Sequence, residues 1–413
     1  MPVLPPPLRL LLFAEGCITK KQSKTMAFVL SYYTEILMFA GTCAVLGLLA
    51  FVLFRTKLYR ALSKTDGNLL ESGGEKSMTV IICCHNEGDA LETNLPKIME
   101  QRSVKFEVVV VDDCSSDSTP EVLKRMENRY SNLRHTFVPV TARYVSHAKL
   151  AVSLGVKAAR HEWIVMTRPT CAPVTDLWLK AMSSCFAEGT DIVLGYTNYA
   201  DDDTLAAGRA VFERMQYNMT WYLSARHKAC GGDGGNMAFR RSLFLECDGY
   251  ADSLDRVFGD DDLLVNAMST DGNTAVCCAP IATIREYPNN LRRAWRRLKL
   301  VRTASFMHTP RRGNAAMMSV RFSNIGHYLW AVGWILSAAT FFACGYMIAG
   351  TAVCLAAILM SVADALLMKH AVAAVGERNY LFLLWWYETV RPLVYPVWKL
   401  KVWLSRRDFK RHI

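Results

Sequence analysis

The sequence predicts an α/β fold with a mostly parallel sheet flanked by helices, and transmembrane helices at both its N-terminal and C-terminal ends. Short apolar runs alternate with helical stretches, which is the order of a parallel sheet with crossover helices. The apolar runs are 79–83, 107–111, 162–166 and 191–194, and the clearest helical stretches are 89–101 and 119–130. In addition, 52% of the 413 residues are hydrophobic, more than a water-soluble protein of ordinary composition needs.

The first predicted transmembrane helix covers residues 26–54. The segment is apolar apart from Glu35, and it is long enough to cross a hydrocarbon core of roughly 30 Å. Three basic residues follow within a few positions, so this flank and the domain after it are expected in the cytosol. Residues 1–25 do not resemble a signal peptide, and we interpret them as a disordered leader or the product of a mis-assigned start codon. Residues 55–76 read as a linker.

The soluble domain is expected over 77–310, and the chain after it is apolar again. Residues 327–368 predict a transmembrane helical hairpin whose ends both carry basic flanks. The last segment, 379–413, mixes tryptophan, tyrosine and lysine, and this favours an aromatic and basic helix in the membrane interface. A third span is the alternative, if Glu388 and Arg391 pair.

Charge and cysteine content narrow the class of protein. A net charge of +11 is typical of proteins that bind nucleic acid, anionic membranes or phosphorylated ligands. The apolar segments favour the membrane, and we expect no nucleic-acid partner. Thirteen cysteines show no zinc-ligand spacing, and we interpret them as reduced thiols rather than disulfides or metal ligands. No phosphate-binding, dinucleotide-binding or metalloprotease motif occurs in a supporting context.

Polar residues follow the first two predicted strands. His85, Asn86 and Glu87 come after the first, and the run DDCSSDST at 112–119 closes the second. The carboxyl ends of parallel strands meet at one rim of the sheet, which is where such folds bind ligands. An aspartate at that rim accepts hydrogen bonds from a nucleobase or a ribose hydroxyl. The alternative is that this run is only a turn and a helix N-cap.

Five ordered motifs resemble the family 2 glycosyltransferases, which are inverting enzymes with a nucleotide-sugar-binding GT-A fold. The resemblance covers roughly residues 77–305. It rests on a strand ending in NE, a strand ending in VVDDCSSD, a lysine ahead of the helix AVSLGVKAAR, the loop GGDGGNMAF and the acidic run FGDDDLL. The flanking apolar segments are similar to those of membrane-attached members.

This resemblance implies roles for individual residues. Glu87 and Asp113, with Asp112 nearby, would hold the uridine-like part of a sugar nucleotide, and Lys149 would lie near its diphosphate. The loop beneath the donor sugar and the acceptor would be formed by Gly234, Gly235 and Asn236.

The acidic run stands where the family has its Glu-Asp catalytic pair. Asp261 aligns with the aspartate that acts as base, Asp260 aligns with the glutamate, and Asp262 follows. Inverting transfer requires a carboxylate that takes the proton of the acceptor hydroxyl. Three adjacent acids also repel one another, so that the pKa of one is expected to rise. The alternative is a calcium-like or solvated loop.

One departure from the family pattern concerns its metal site. The family places Asp-x-Asp at the end of the strand 162–166 to bind the Mg²⁺ or Mn²⁺ that bridges the diphosphate, and here Arg168 and Thr170 replace both acids. A threonine hydroxyl is a weak ligand and arginine repels the ion, so we predict that the usual metal site is absent. Three interpretations follow: Arg168 supplies the positive charge itself, the site has decayed, or another acid moves in. The candidate acids are Asp201, Asp202, Asp203 and Asp233.

A second departure lies in the basic segment 290–302. It lacks the Gln-x-x-Arg-Trp motif of processive members, so we expect one sugar to be added per event. Trp295, Arg296 and Lys299, among other basic residues there, are candidates for contacting diphosphate or lipid headgroups. An amphipathic helix resting on the anionic inner leaflet is the alternative.

The sequence therefore predicts a multi-pass protein of the inner (cytoplasmic) membrane with a cytosolic catalytic domain. It would transfer one sugar from a nucleotide sugar, a UDP-sugar being favoured, to a lipid-linked or envelope glycan acceptor. The alternative is a catalytically inactive protein that keeps the fold and binds nucleotide or glycan as a partner subunit.

Overall fold

The computed structural model describes residues 20–62, 76–139, 146–200, 204–254, 256, 258–308, 314–377 and 381–404. Several predictions lie wholly or mostly outside these residues. They concern the leader 1–25, most of the linker 55–76, the candidate acids Asp201, Asp202 and Asp203, and both ends of the segment 379–413. The chain divides into two compact units: residues 1–57, 318–369 and 381–392 form the first, and residues 58–317, 370–380 and 393–413 form the second.

The elements follow one another in the order that the alternating pattern predicts. The strands are β1 (Met78–Cys84), β2 (Phe106–Asp112), β3 (Leu133–Phe137), β4 (Trp163–Thr167), β5 (Cys171–Pro173), β6 (Ile192–Gly195), β7 (Thr197–Tyr199), β8 (Met237–Arg240), β9 (Thr274–Cys277) and β10 (Ile284–Glu286). The helices are α1 (Lys20–Ala50), α2 (Thr56–Leu62), α3 (Gly88–Met99), α4 (Thr119–Arg129), α5 (His147–Ala158), α6 (Trp178–Ser184), α7 (Leu205–Ala225), α8 (Arg241–Glu246), α9 (Asp262–Met268), α10 (Leu291–His308), α11 (Asn314–Ala343), α12 (Met347–Ala374) and α13 (Leu381–Leu404).

The first unit is built from long apolar helices. By length and composition, three described segments suffice to cross a membrane: Ser31–Leu62, Met318–Ala343 and Met347–Ala374. A buried ion pair joins two of them, because Nε and Nη2 of Arg55 donate to the carboxylate of Asp364 at 2.6 and 2.5 Å. A π-helical turn, Phe51–Arg55, precedes this contact. The predicted spans 26–54 and 327–368 therefore fall on helices of this unit.

The second unit contains the predicted sheet. Seven strands are ordered β3-β2-β1-β4-β8-β6-β9, and β1 runs parallel to both β2 and β4. The central strands are runs of Val, Ile and Cys that are buried along nearly their whole length, as expected when helices cover both faces. All four strands and both helices predicted from the sequence are present, and the mixed α/β class is confirmed.

Two features were not predicted. Strand β8 is antiparallel to both β4 and β6, and three short strands form a second sheet in the order β5-β10-β7. Strands of three residues are too short to show an alternating pattern. This second sheet adjoins the turn after β4, which carries Arg168: the amide of Cys171 donates to the carbonyl of Arg168 at 3.0 Å, and the amide of Tyr287 donates to the carbonyl of Thr170 at 2.8 Å.

Candidate active site

The turns after β1 and β2 form one half of the site. Asn86 and Cys114 both adopt positive φ, 54° and 52°, and the two turns are hydrogen-bonded together. The amide of Asn86 donates to Ser115 Oγ at 2.9 Å, and the amide of Ser116 donates to Asn86 Oδ1 at 2.7 Å. Asp112 Oδ1 accepts from the amide and hydroxyl of Ser115. The Asp112 side chain thus stabilises the turn. For this residue, the contacts fit the alternative interpretation that the run 112–119 forms a turn.

Glu87 and Asp113 lie together on this rim. Asp113 Oδ1 is 2.6 Å from Nδ1 of His147, and the carbonyl of Asp113 contacts His85 Nδ1 at the same distance. Burial raises the pKa of Glu87, partly offset by a hydrogen bond from the His85 amide and by the charge of Arg168. The structure therefore brings together the two acids that the sequence assigned to the nucleotide. It adds His147, which no motif singled out.

Lys149 lies below the rim rather than on it. Its side chain is fully buried, and Nζ donates to the carbonyl of Ser253 at 2.5 Å. The ammonium group also faces the ring of Tyr250, whose hydroxyl donates to the carbonyl of Asp260 at 2.6 Å. Lys149 thus supports the segment that leads to the acidic run, and its contact with a diphosphate stays a prediction.

Arg168 connects this first half of the site to a second half, which consists of the acids Asp233, Asp261 and Glu286. It follows β4 directly, and its guanidinium group reaches across the rim. Nη2 donates to Asp261 Oδ2 at 2.6 Å and Nη1 donates to Asp233 Oδ1 at 2.8 Å, while Glu286 Oε2 lies 3.6 Å from Nη1. The charge of Arg168 also acts on Glu87. Arg168 therefore contacts both the candidate base Asp261 and the buried acid Asp233.

Two further arginines complete this cluster. Arg214, from α7, donates to Asp233 Oδ2 through Nε and Nη2 at 3.1 and 2.8 Å, and to Glu286 Oε2 through Nη1 at 2.6 Å. Arg302, from α10, lies 3.2 Å from Asp261 Oδ2 and 2.7 Å from Asp262 Oδ2. Both side chains are almost fully buried. We call the three arginines, together with Asp233, Asp261, Asp262 and Glu286, the guanidinium cluster.

Sequence reasoning did not single out three of the seven members of this cluster. No motif pointed to Arg214 or Glu286, and Arg302 was noted only as one of several basic residues. A signal for Arg302 exists, since Trp295, Lys299 and Arg302 have i, i+4, i+7 spacing and share one helix face. Charged residues on the face that packs inward need partners in the fold.

Burial and the arginines act in opposite directions on the pKa values of the acids in and beside this cluster. Burial alone would raise the pKa of Asp233, but Arg214 and Arg168 hold it well below the usual range. Burial raises the pKa of Asp262 to about 6, with Arg302 opposing the shift. The pKa of Asp260 is also raised, by burial and by the Asp261 carboxylate. The acidic run therefore places two acids of elevated pKa on either side of the candidate base.

The glycine-rich loop before β8 packs against these acids. A Cβ at Gly234 would lie 2.2 Å from Asp261 Oδ1, and one at Gly231 would lie 2.3 Å from Asp262 Oδ1. Glycine is therefore required for the carboxylates to lie against the backbone. The amide of Gly235 donates to Asp233 Oδ1 at 2.9 Å, which fixes the loop to the guanidinium cluster.

Asn236, by contrast, points into the fold. Its Nδ2 donates to the carbonyls of Tyr196 and Ala282 at 2.9 and 2.8 Å, and its Oδ1 accepts from Trp178 Nε1 at 2.9 Å. The side chain is fully buried. In this conformation Asn236 supports the loop, and a direct contact with a sugar stays a prediction.

The three residues of α10 that were predicted to contact diphosphate or lipid headgroups differ in their contacts and in their exposure. Trp295 Nε1 donates to Glu213 Oε2 at 2.9 Å, and Lys299 Nζ lies 2.7 Å from the same oxygen. Lys299 is buried, whereas Arg296 is exposed. Of the three candidates, Arg296 is therefore the most exposed, while Trp295 is half-buried.

The divalent cation that the resemblance implies does not fit the residues present. Arg168 and Thr170 stand where the resemblance places the usual ligands, and both neighbouring acids, Asp233 and Asp261, accept from guanidinium groups. Within the described ranges, no three His, Cys, Asp or Glu side chains are arranged to hold a metal ion. Asp233, one of the candidate replacement ligands, is therefore engaged by arginine.

Comparison with known proteins agrees with the motifs. Residues 79–247 match the family described as Glycosyl transferase family 2. Poly-beta-1,6-N-acetyl-D-glucosamine synthase of Staphylococcus aureus (strain MSSA476) is 25% identical over 121 residues, which are 29% of this chain and 27% of that protein. The chain thus matches about a quarter of the length of that relative.

A solved structure resembles the fold. The mannosyltransferase PcManGT from Pyrobaculum calidifontis, in complex with GDP-Man and Mn²⁺, superposes with a TM-score of 0.51 at 21% identity and covers 87% of this chain and 99% of its own. At this identity the likeness shows the fold alone. Taken with the family match and the ordered motifs, it places a family 2 glycosyltransferase domain of GT-A-like fold in this chain.

Proposed function

We propose that this protein is a membrane-bound glycosyltransferase that moves a single sugar, with inversion, from a nucleotide sugar to a membrane-associated acceptor. The observation that carries the proposal is the position of Arg168, which lies between the nucleotide rim, with Glu87 and Asp113, and the candidate base Asp261. A UDP-sugar is the favoured donor, and a lipid-linked sugar or envelope glycan is the acceptor. The catalytic domain would face the cytosol at the inner membrane.

The residues fit inverting transfer. The acceptor hydroxyl oxygen bonds to the anomeric carbon while the bond from that carbon to the diphosphate oxygen breaks, and Asp261 takes the hydroxyl proton. The departing diphosphate carries negative charge, which a guanidinium group compensates through two parallel hydrogen bonds. Arg168 is the residue placed to do this. Because arginine engages the nearby acids, we propose a reaction that does not depend on a divalent cation.

The C-terminal helix supports a membrane-associated acceptor. Within the second unit, Val402 of α13 packs against Phe258 and Ala304, close in sequence to the acidic run and to Arg302. The opposite face of the helix exposes Val397, Leu400 and Trp403, which are 50%, 55% and 58% exposed. Exposed apolar residues beside lysines are typical of a helix in the membrane interface. Such a helix would hold the acidic run near the bilayer surface.

One observation favours a second candidate, the inactive binding partner. Asp261 accepts from Arg168 and also contacts Arg302, so in this conformation the base is covered. A protein that never uncovers it would bind nucleotide or glycan without transfer.

A transfer assay separates the two candidates. Purified protein in detergent is incubated with UDP- and GDP-sugars and a bacterial lipid extract, with Mn²⁺ or with EDTA, and sugar incorporation is measured. We expect transfer that survives EDTA, is abolished in Asp261→Asn and is retained in Asp271→Asn, a control acid that is 84% exposed. Nucleotide binding without transfer in a folded protein would support the inactive partner, and transfer that requires Mn²⁺ would contradict the role of Arg168.

A further inference from the structure

The three arginines of the guanidinium cluster differ in accessibility. The side chain of Arg168 is 30% exposed, whereas those of Arg214 and Arg302 are 1% and 2% exposed. Arg214 and Arg302 project from the long helices α7 and α10, while Arg168 belongs to the turn that follows β4. Arg168 is therefore the arginine that a ligand entering the rim meets first.

The remaining contacts of the cluster allow the Arg168 side chain to move away from its acids. Each carboxylate that Arg168 contacts has a second guanidinium group beside it: Asp233 and Glu286 contact Arg214, and Asp261 contacts Arg302. Leaving a buried charge without a partner is strongly unfavourable. Because a second arginine remains beside each acid, Arg168 can turn away at a reduced cost. Removal of Arg302, by contrast, would take away the guanidinium group that lies 2.7 Å from Asp262.

We propose that Arg168 blocks the catalytic base Asp261, and that binding of the donor moves Arg168 away from it. The diphosphate of the nucleotide sugar, bound beside Glu87, competes with Asp261 for Arg168 and draws the guanidinium group onto the leaving phosphate. Arg302 stays behind as a positioning residue and fixes the uncovered carboxylate for the acceptor. This inference rests on the proposed function, and it implies that the donor binds before the acceptor is activated.

Competition for one guanidinium group has a measurable consequence. If Asp261 and the diphosphate compete for Arg168, removal of the Asp261 charge must tighten diphosphate binding. The variant Asp261→Asn should therefore bind a nucleoside diphosphate about tenfold more tightly than the wild type, in the range of typical coupling energies. The matched control is Asp260→Asn. The Asp260 carboxylate feels the charge of Arg168 but, within the part of the chain that the structure describes, forms no hydrogen bond or ion pair with it.

The experiment is calorimetric titration of the purified protein in detergent with UDP and GDP in the presence of EDTA. We expect tighter binding in Asp261→Asn than in Asp260→Asn, weaker binding in Arg168→Gln, and no gain from Asp261→Asn when Arg168→Gln is already present. Equal gains in both aspartate variants, or a gain that persists without Arg168, would overturn the inference. Failure of every variant to bind either nucleotide would overturn the proposed function as well, so the two failures are distinguishable.

A second readout tests Arg302 as a positioning residue. In Arg302→Lys, which keeps the charge, the dissociation constant for the diphosphate should stay within about twofold of the wild type. In Arg302→Gln, which removes the charge, diphosphate binding should weaken, because Asp261 then has no second arginine when Arg168 turns away. Loss of a positive partner beside the base should move the acidic limb of the pH–rate profile to higher pH in Arg302→Gln, and Lys should restore it. An unchanged profile in folded Arg302→Gln would remove Arg302 from this role.

Discussion

Arg214 offers the sharpest test of how much the guanidinium cluster stabilises the second unit. Its side chain is 1% exposed, and it contacts two carboxylates, of which Asp233 is 1% and Glu286 is 13% exposed. Breaking a buried ion pair by removing one partner costs about 3–5 kcal/mol. Because Arg168 remains 2.8 Å from Asp233, we expect Arg214→Gln to lie near the lower value, about 3 kcal/mol.

The assay is thermal unfolding of the purified protein in detergent. For a domain of this size each kcal/mol shifts Tm by about 2–4 °C, so Arg214→Gln should lower Tm by about 6–12 °C. The matched control lies on the same helix. Arg209 is 30% exposed and pairs at 3.2 Å with Glu213, a buried carboxylate that also contacts Lys299 at 2.7 Å. Because Glu213 keeps Lys299 and Arg209 is partly solvated, Arg209→Gln should cost about 1 kcal/mol, less than Arg214→Gln.

A double variant completes this test. If Arg214 acts mainly by neutralising Asp233, the combination Arg214→Gln with Asp233→Asn should recover part of the loss, because the remaining charge is removed too. Equal shifts of Tm in Arg214→Gln and Arg209→Gln, with no recovery in the double variant, would refute the idea that the cluster stabilises the fold.

Three further predictions concern other parts of the molecule. Burial raises the pKa of Asp262 from 3.8 to about 6, so the folded protein binds more protons than the unfolded chain between these values and its stability falls as pH rises through that window. The free energy of unfolding of Asp262→Asn should therefore increase by up to about 3 kcal/mol relative to the wild type between pH 4 and pH 7. An equal difference in Tm between the two proteins at both pH values would contradict this. In the first unit, Arg55→Ala or Asp364→Asn should lower Tm because each breaks a buried pair, and the exchange Arg55→Asp with Asp364→Arg should restore part of it; single variants as stable as the wild type would exclude a stabilising pair. Among the described cysteines, Cys114 and Cys247 are the exposed ones, so brief alkylation followed by mass spectrometry should modify them first, and faster labelling of the buried thiols would disagree with the packing.

The rim that carries Glu87 and Asp113 could be predicted from the sequence because it follows from local order. Glu87 and Asp113 each come directly after an apolar strand, and parallel strands bring their carboxyl ends to one edge of the sheet. The pairing of β1 with β2 and β4 provides this juxtaposition. The orientation of individual side chains was not predictable in the same way. Asp112 ends β2, Lys149 lies in α5 and Asn236 precedes β8, and the polar side-chain atoms of all three bond within the fold.

By itself, the sequence determined the fold class, the match to a family 2 domain and the apolar helices. These features depend on short-range pattern and on motif order, which the chain carries locally. The tertiary structure alone decided which side chains Arg168 contacts, because Asp233 and Asp261 lie 65 and 93 residues away along the chain. Buried charges require partners wherever the packing brings them, and only the packed chain shows that Arg214 and Arg302 stand beside the same acids.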